Sequence, residues 1–311
     1  MQQKVVVQSG AGALVGGAQQ LGETKRARRS QWTKTLVAFR KDPAAVIALG
    51  VLAMIVVVTV FAPVLAPYDP DVVPPGSTRM APPFSAGHLL GTDGQGRDLL
   101  SRMLYGGLVS LPSALIPVVI ATSAGLVLGM VAGYRRGLLG ELFMRGWDIM
   151  FAFPSVILAI GIASIAGRGQ QNVMIAVSIV FIPSITRLTY GVTRDIASRE
   201  FIHACKLLGA TDDRVILRHI LPNVFPPVLV YASTITGVLV VFSAGLSFLG
   251  LGIQPPTADW GMMVSDGRAV LSVAPHVATL PGLMISLTAL SFNLVGDGLR
   301  FALDPRTRNI G

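Results

Sequence analysis

The stretch PAAVIALGVLAMIVVVTVFAPVLAP, residues 43–67, runs for 25 residues without a charged side chain. A helix crosses the hydrocarbon core of a bilayer with about 20 predominantly apolar residues, because each residue adds about 1.5 Å. This stretch is therefore predicted to span a membrane. The whole chain agrees, since 52% of its 311 residues are hydrophobic and only 13% are charged. Soluble proteins carry about 25% charged residues, so an ordinary water-soluble domain is excluded.

Five further apolar stretches follow, and together they predict an all-α membrane protein with six transmembrane helices. The predicted spans are residues 43–67, 108–134, 149–166, 172–186, 224–253 and 277–295. Two long loops, 68–107 and 254–276, lie on one side, and the first is expected to contain a short amphipathic helix around residues 98–104. The loop 187–222 lies on the other side. Residues 1–42 are predicted to form a basic, flexible tail ahead of a permeation domain that extends from 43 to 311.

The basic residues are distributed unevenly between the two sides. Six spans place both termini on one side, and that side receives 20 of the 25 Lys and Arg residues. Because basic residues are retained on the cytoplasmic face, both termini are predicted to be cytoplasmic. The formal charge of +9 is thus interpreted as an orientation signal rather than as evidence for a nucleic-acid partner. The segment KRARR, residues 25–29, is either a topology anchor or a contact for anionic lipid.

The inner loop contains the segment EFIHACKLLGATDDRVILRHILPN, residues 200–223. Its first part places Phe201, Ala204 and Leu208 at helical spacing, which predicts a short helix with an apolar stripe that needs a groove to bury it. Gly209 is expected to end this helix, and Thr211 to cap the next one. That second helix is expected to end at Pro222.

This segment resembles the EAA motif of permease subunits of bacterial ATP-binding cassette importers, namely Glu-Ala-Ala, three residues, Gly, nine residues, Ile, any residue and Leu-Pro. Gly209, its spacing and the final Leu-Pro match, whereas His203, Cys205 and His219 replace the Glu, the second Ala and the Ile of the motif. The resemblance implies that the segment couples the permease to an ATPase. The implied coupling residues are Glu200, Phe201, His203, Ala204, Cys205, Leu208, Gly209, Ala210, Asp212, Arg214, His219, Leu221 and Pro222.

Four other segments resemble the second permease of dipeptide, oligopeptide, nickel and glutathione importers. They are LLGTDGQGRDLLSRMLYG (89–106), DIMFAFPSVILAI (148–160), LSFLGLGIQPPTADWG (246–261) and FNLVGDGLRFALDPR (292–306). The resemblance covers the chain from the first span onward. It implies a type I importer permease in a bacterial inner membrane that transports peptides, with glutathione or nickel chelates as alternatives.

The resemblance also implies the partners. A second, homologous permease would complete the pathway, two ATPase subunits would hold ATP and Mg²⁺, and an extracytoplasmic binding protein would deliver the substrate. Closure of the ATPases would push on the helix around Phe201 to Leu208 and switch the spans between inward-open and outward-open states. The chain contains no Gly-Lys pair and hence no phosphate-binding loop of the Walker type. It is therefore predicted to be a transport subunit without a cofactor or enzymatic activity of its own.

Alternatives remain for individual residues. Asn293 is expected either to line the pathway or to bond between helices. Asp259 and Trp260 belong either to an outer gate or binding-protein contact, or to a loop that only closes the bundle. Gly125, Gly129 and Gly133 form a ridge for close helix packing. A self-sufficient channel or membrane enzyme is the remote alternative, and a metal site is not expected from one cysteine and four scattered histidines.

Overall fold

The computed structural model describes residues 36–85, 87–135 and 138–303. Most of the predicted basic tail, residues 1–35, and the segment 304–311 lie outside the described residues. The regular secondary structure of the described chain is helical. Its helices are α1 Pro43–Val60, α2 Ala62–Leu65, α3 Leu99–Tyr134, α4 Leu138–Phe151, α5 Ser155–Ala166, α6 Gln170–Ala197, α7 Glu200–Leu207, α8 Asp212–Val215, α9 Leu221–Phe248, α10 Trp260–Arg268 and α11 His276–Leu303.

Within the described residues, five helices are long and apolar enough to cross a membrane, and a bent pair raises the number to six. The all-helical membrane architecture is thus confirmed, with five to six candidate spans. The five are α1, α3, α6, the continuous helix Asp212–Phe248 and α11. The bent pair is Gly140–Phe151 with Ser155–Ala166, whose axes meet at 88°.

This bend corrects the expectation of one uninterrupted helix over residues 149–166. Pro154 stands at the start of α5 with φ −56° and ψ 126°. A proline also disfavours the helical conformation of the residue before it, so the helix cannot continue through Phe153. The chain therefore turns sharply between α4 and α5.

The start of α3 is a second correction, because the helix expected around residues 98–104 is not separate from the span predicted at 108–134. Asp98 caps α3 by accepting a hydrogen bond from the Ser101 backbone N–H, and the helix then runs for 36 residues. Gly106 and Gly107 lie inside it. A Cβ atom at Gly106 would come within 2.9 Å of the Trp260 ring, so this glycine provides packing space and does not end the helix.

Two other helices, α6 and α11, also extend beyond the predicted spans. α6 continues to Ala197, although residues 187–197 were expected in a loop, and α11 continues to Leu303 rather than ending near 295. Apolar character marks only the part of a helix that lies in lipid, so polar extensions into water escape a count of apolar residues. The chain that connects α6 to α8 is correspondingly shorter than the predicted loop 187–222.

The glycine ridge of α3 packs within the chain against α6. Cβ atoms at Gly125, Gly129 and Gly133 would lie within 3 Å of α6 atoms, and the one at Gly129 would lie 2.5 Å from Thr189 Cβ. Small residues at this spacing let two helix backbones approach closely, which provides dispersion contacts that lipid cannot supply. The α3 and α6 pair therefore forms a close-packed unit.

Prolines inside the helices leave carbonyl groups without an intrahelical donor, and α3 shows how one is satisfied. Pro117 cannot donate to the Ser113 carbonyl. The Ser243 hydroxyl of α9 donates to that carbonyl at 2.8 Å instead. In the hydrocarbon region a carbonyl group that a proline leaves free has to find another donor, and here a neighbouring helix provides it.

Candidate functional site

The segment from Glu200 to Pro222 forms a helix, a glycine turn and a second helix. α7 ends at Leu207, and Gly209 follows with φ +83°. The Ala210 N–H donates to the Cys205 carbonyl at 3.1 Å, which closes the end of the helix. A left-handed residue at this place is the usual end of a helix and favours glycine. The predicted role of Gly209 in ending the helix is confirmed.

The second helix differs from the prediction at both ends. Among the described residues, the Thr211 side chain makes no capping hydrogen bond to α8. Pro222 does not end the helix either, because a π-helical turn, Ile216–Ile220, connects α8 to α9. In this turn the Leu221 N–H reaches back five residues to the Ile216 carbonyl. The wider turn accommodates the proline, whose ring would clash with the carbonyl four residues earlier in a regular helix.

One face of this segment is anchored in the helix bundle. Ile202 of α7 is 1% exposed, and Val215 and Ile220 are fully buried. They pack in one cluster with Ile185 and Ile196 of α6. The sequence analysis did not identify Ile202 as a buried residue. Ile202, Val215 and Ile220 lie in different helical segments, so they do not form the regular repeat of a single helix.

The opposite face of α7 is apolar and exposed. Leu207 and Leu208 are 89% and 88% exposed, and Phe201 is 41% exposed. Ala204 is also exposed. Phe201, Ala204 and Leu208 form the predicted stripe, and Leu207 adds to it. We call Phe201, Ala204, Leu207 and Leu208 the α7 stripe.

A polar cluster fixes α7 against the end of α3. The Tyr134 hydroxyl donates to an oxygen of Asp212, and Lys206 Nζ lies 3.5 Å from the same carboxylate. Lys206 Nζ also lies 4.7 Å from the centre of the Tyr134 ring. The hydrogen bond with Tyr134 is the main reason that the pKa of Lys206 is raised, and nearby Asp212 acts in the same direction. Asp212 was among the predicted residues, whereas Tyr134 and Lys206 were not.

The histidine and cysteine of the motif lie on the partly buried side of the segment. Cys205 Sγ is 3.9 Å from His219 Nε2, and the rings of Phe201 and His219 are 6.5 Å apart. Within the described chain, no group of three or more His, Cys, Asp or Glu side chains could hold a metal ion. The remaining predicted residues Glu200, His203, Arg214 and Pro222 are exposed or partly exposed, and Ala210 and Leu221 are half-buried.

At the opposite end of the molecule, Asp259 and Trp260 are buried rather than presented to a partner. Trp260 is fully buried, and its indole N–H donates to the Met103 carbonyl at 2.8 Å. Asp259 caps α10 and accepts a hydrogen bond from the Ser110 hydroxyl. Burial raises the pKa of the Asp259 carboxyl, and its hydrogen bonds oppose this effect. These contacts favour the alternative in which the loop closes the bundle.

Asn293 lies at the edge of a groove between α9 and α11. The groove has a volume of about 590 Å³, and its other lining residues, such as Val241, Leu246 and Ala289, are mainly apolar. The Asn293 side-chain oxygen is buried and, among the described residues, has no hydrogen-bond partner. A buried carbonyl oxygen without a donor is costly in free energy. This oxygen packs against Gly237 of α9, where a Cβ atom would collide with it, so it is not accessible from the groove, and within the described chain the interhelical hydrogen bond of the alternative prediction is not formed.

Comparisons with known proteins agree with this architecture. Residues 125–309 match the family of binding-protein-dependent transport system inner membrane components. Residues 30–83 match the N-terminal transmembrane domain of oligopeptide transport permease C. The family model describes a membrane component of a transport system, so this chain is a transport subunit and not an enzyme.

Individual relatives cover most of the chain. The glutathione transport system permease protein GsiD of Pectobacterium atrosepticum is 39% identical over 90% of this chain and 93% of its own length. GsiD of Shigella sonnei is 41% identical over 90% of this chain and 92% of its own length.

A solved structure shares the fold. A chain of the methionine ABC transporter MetNI in an inward facing conformation matches with a TM-score of 0.54 and 21% identity. The matched region covers 65% of this chain and 97% of the MetNI chain.

The family match spans more than half of the sequence, and the curated relatives match about 90% of it. The chain therefore belongs to the family of inner membrane permease components of binding-protein-dependent transport systems.

Proposed function

We propose that this permease forms, with a second homologous permease, the pathway of an importer for small peptides. ATP hydrolysis on two partner ATPase subunits, which hold ATP and Mg²⁺, drives the transport. The observation that carries the proposal is the α7 stripe, because four apolar side chains stand exposed on a helix whose other face is anchored by Ile202. An apolar face of this kind is typical of a protein interface.

The anchoring of α7 supports a mechanical role for the stripe. Ile202 packs in the same cluster as residues of α6 and of the helix Asp212–Phe248. The polar cluster around Lys206 and Asp212 adds a contact to the end of α3. A displacement imposed on α7 by an ATPase would therefore be transmitted directly to three long helices.

The orientation follows from the same assignment. An ATPase that uses cytoplasmic ATP must bind on the cytoplasmic side, so α7 and both termini face the cytoplasm. The excess of Lys and Arg on the α7 side supports this orientation. On the opposite side, an extracytoplasmic binding protein delivers the substrate to the permease pair.

The groove that contains Asn293 is the part of this chain that we assign to the pathway. The Asn293 amide lies at the edge of this groove, and its buried oxygen would have to turn away from Gly237 to accept a hydrogen bond from a peptide N–H. The apolar walls allow side chains of different size to pass. This chemistry favours peptides over ions as the transported substrate.

Glutathione is a second candidate substrate within the peptide class. The proteins named glutathione permease GsiD are 39% and 41% identical to this chain over most of its length.

The test is reconstitution of the two permeases and the ATPases in proteoliposomes with the binding protein. We expect ATP-dependent uptake of labelled small peptides, and competition between glutathione and dipeptides identifies the preferred substrate. Leu207→Asp should abolish ATPase binding, whereas Val273→Asp is a control at an exposed apolar position outside the α7 stripe and outside the candidate spans. Substrate flux through the purified chain alone would contradict the proposal and favour a self-sufficient channel.

A further inference from the structure

The segment 81–91, on the side of the molecule opposite α7, is fixed by hydrogen bonds at its base. The Ala81 N–H donates to the Thr92 hydroxyl at 2.8 Å, and the Thr92 N–H donates to the Ala81 carbonyl at 3.1 Å. His276 Nε2 contacts the same carbonyl at 3.1 Å. Near the middle of the segment, His88 Nδ1 lies 2.9 Å from the buried carboxylate of Asp98. The described residues at both ends of this segment are therefore fastened to the start of α3 and to α11.

Phe84 stands at the tip of this segment in an unusual conformation. Its φ is +63°, and its side chain is 82% exposed. The Phe84 N–H donates to the Leu89 carbonyl at 3.0 Å, which closes the turn. A left-handed conformation is unfavourable for a residue other than glycine. Strain of this kind is concentrated at functional sites, and here it presents an aromatic ring to the surroundings without packing it inside the chain.

The position of the segment argues against contact with lipid. Asp98 precedes the first residue of α3, and Arg102 lies in the first turn of that helix, whereas the stretch 103–134 contains no charged residue. This stretch of about 32 residues is about 48 Å long, which exceeds the roughly 30 Å of the hydrocarbon core and lets the start of α3 extend beyond it. The Tyr68 N–H, bonded to the Ser101 hydroxyl at 3.1 Å, lies at the same level as this extension. The segment that carries Phe84 is thus attached above the hydrocarbon region, where its surroundings are water or another protein.

The chemistry of the tip indicates the kind of partner. The segment APPFSAGHLLG, residues 81–91, contains no Asp, Glu, Lys or Arg. Leu89, which is 54% exposed, adds a second apolar side chain next to Phe84. Rigid aromatic residues surrounded by uncharged atoms are the typical anchors of protein interfaces, because little conformational entropy is lost when they bind.

We propose that Phe84, supported by Leu89, is the anchor by which the extracytoplasmic binding protein docks on this permease. The ring would enter an apolar pocket on the surface of that protein. The inference rests on the proposed function, and the family description itself names dependence on a binding protein. The backbone of Phe84 is strained because it holds the ring outward in the absence of the binding protein.

The experiment compares Phe84→Gly with wild type in the complete permease–ATPase complex in nanodiscs. The probe is the binding protein encoded in the same gene cluster, measured by surface plasmon resonance with and without glutathione. We expect the Kd to rise at least tenfold, equally at low and high salt because the contact is uncharged. Glycine tolerates φ +63°, so the thermal stability should stay equal or increase, which a merely structural role for the ring would not produce.

Met80→Gly is the matched control, since Met80 also has a positive φ, 56°, but is half-buried. It relieves the same kind of strain without removing an exposed ring, and we expect its Kd to equal that of wild type. An unchanged Kd for Phe84→Gly would overturn the anchor. The chain has three tryptophans of its own, so Phe84→Trp is compared with wild type. Quenching by brominated lipid of the additional fluorescence would assign the ring to the membrane and also overturn the anchor. If the wild-type complex shows neither binding nor stimulation of ATPase activity by the binding protein, the proposed function itself fails.

Discussion

Gly209 shows how one backbone conformation sets the direction of α7. A Cβ atom at this position would meet no other atom within 4 Å, so its φ of +83° is what requires glycine. We expect Gly209→Val to lower ATP-coupled uptake at least tenfold, because a β-branched residue is strongly disfavoured in the left-handed region and would redirect the α7 stripe. Gly209→Asn should retain most of the activity, since asparagine adopts this conformation more readily. Uptake at the wild-type rate in Gly209→Val would contradict the assignment of this segment.

Asp259 provides a residue-scale prediction about pH. Burial raises the pKa of its carboxyl in the folded protein. Between the ordinary pKa and the raised one, the folded state binds a proton that the unfolded state has released, so the free energy of unfolding decreases as the pH rises through this range. Asp259→Asn preserves a side chain that can cap α10 and should remove this part of the pH dependence.

Thermal unfolding of the detergent-solubilised protein at several pH values measures this effect. Asp259→Ala is the informative comparison, because it removes the cap and should lower the free energy of unfolding relative to Asp259→Asn by about 1 kcal/mol at any pH. If Asp259→Asn instead abolished transport while leaving stability unchanged, the residue would belong to the outer gate and not to the closing loop.

At the scale of helices, the close contact between α3 and α6 predicts that replacing a glycine of the contact by alanine destabilises the protein, although helix propensity alone would favour alanine. Alanine favours a helix over glycine by about 1 kcal/mol. A Cβ atom added at Gly161 of α5 would meet no other atom within 4 Å, so Gly161→Ala should raise the melting temperature. Gly129→Ala should lower it, because the new methyl group would lie 2.5 Å from Thr189 Cβ. Equal effects of the two substitutions would show that α3 and α6 are not closely packed.

The helices were predictable from the sequence because a membrane requires long apolar runs, but their ends were not. Pro154 and Pro222 both follow helical segments, but the chain turns sharply at Pro154 and continues as a helix through Pro222. They differ because a π-helical turn precedes Pro222 and the chain before Pro154 leaves the helix. The predicted boundary between the loop 68–107 and the span 108–134 falls at Gly107, but Gly106 and Gly107 lie inside α3 and make room for the Trp260 ring. Such distinctions depend on a neighbouring helix that a local pattern does not contain.

The candidate site was predictable to a similar extent. The α7 stripe follows from helical spacing, so Phe201, Ala204 and Leu208 were identified correctly as exposed. The contact of Tyr134 with Asp212 joins residues 78 positions apart, and no local pattern connects them. Phe84 was missed for another reason, since a strained backbone is a property of the folded turn and not of the letters APPF.

At the scale of the whole molecule, two exposed positions mark its two ends. Leu207 belongs to the α7 stripe, and Val273 follows α10 at the opposite end, with 89% and 77% of their side chains exposed. Cys205 is the only cysteine of the chain, so Cys205→Ser provides a background without reactive thiols. Single cysteines introduced at positions 207 and 273 then report separately on each side of the membrane.

We expect a membrane-impermeant maleimide to label Val273→Cys in intact spheroplasts and Leu207→Cys only in inside-out vesicles. The physical reason is the retention of basic residues in the cytoplasm, which places α7 inside. Bound ATPase subunits should protect Leu207→Cys from labelling by covering the α7 stripe, whereas Val273→Cys should be unaffected. Labelling of Leu207→Cys in intact spheroplasts would reverse the orientation, and because ATP is cytoplasmic, it would also exclude α7 as the ATPase contact.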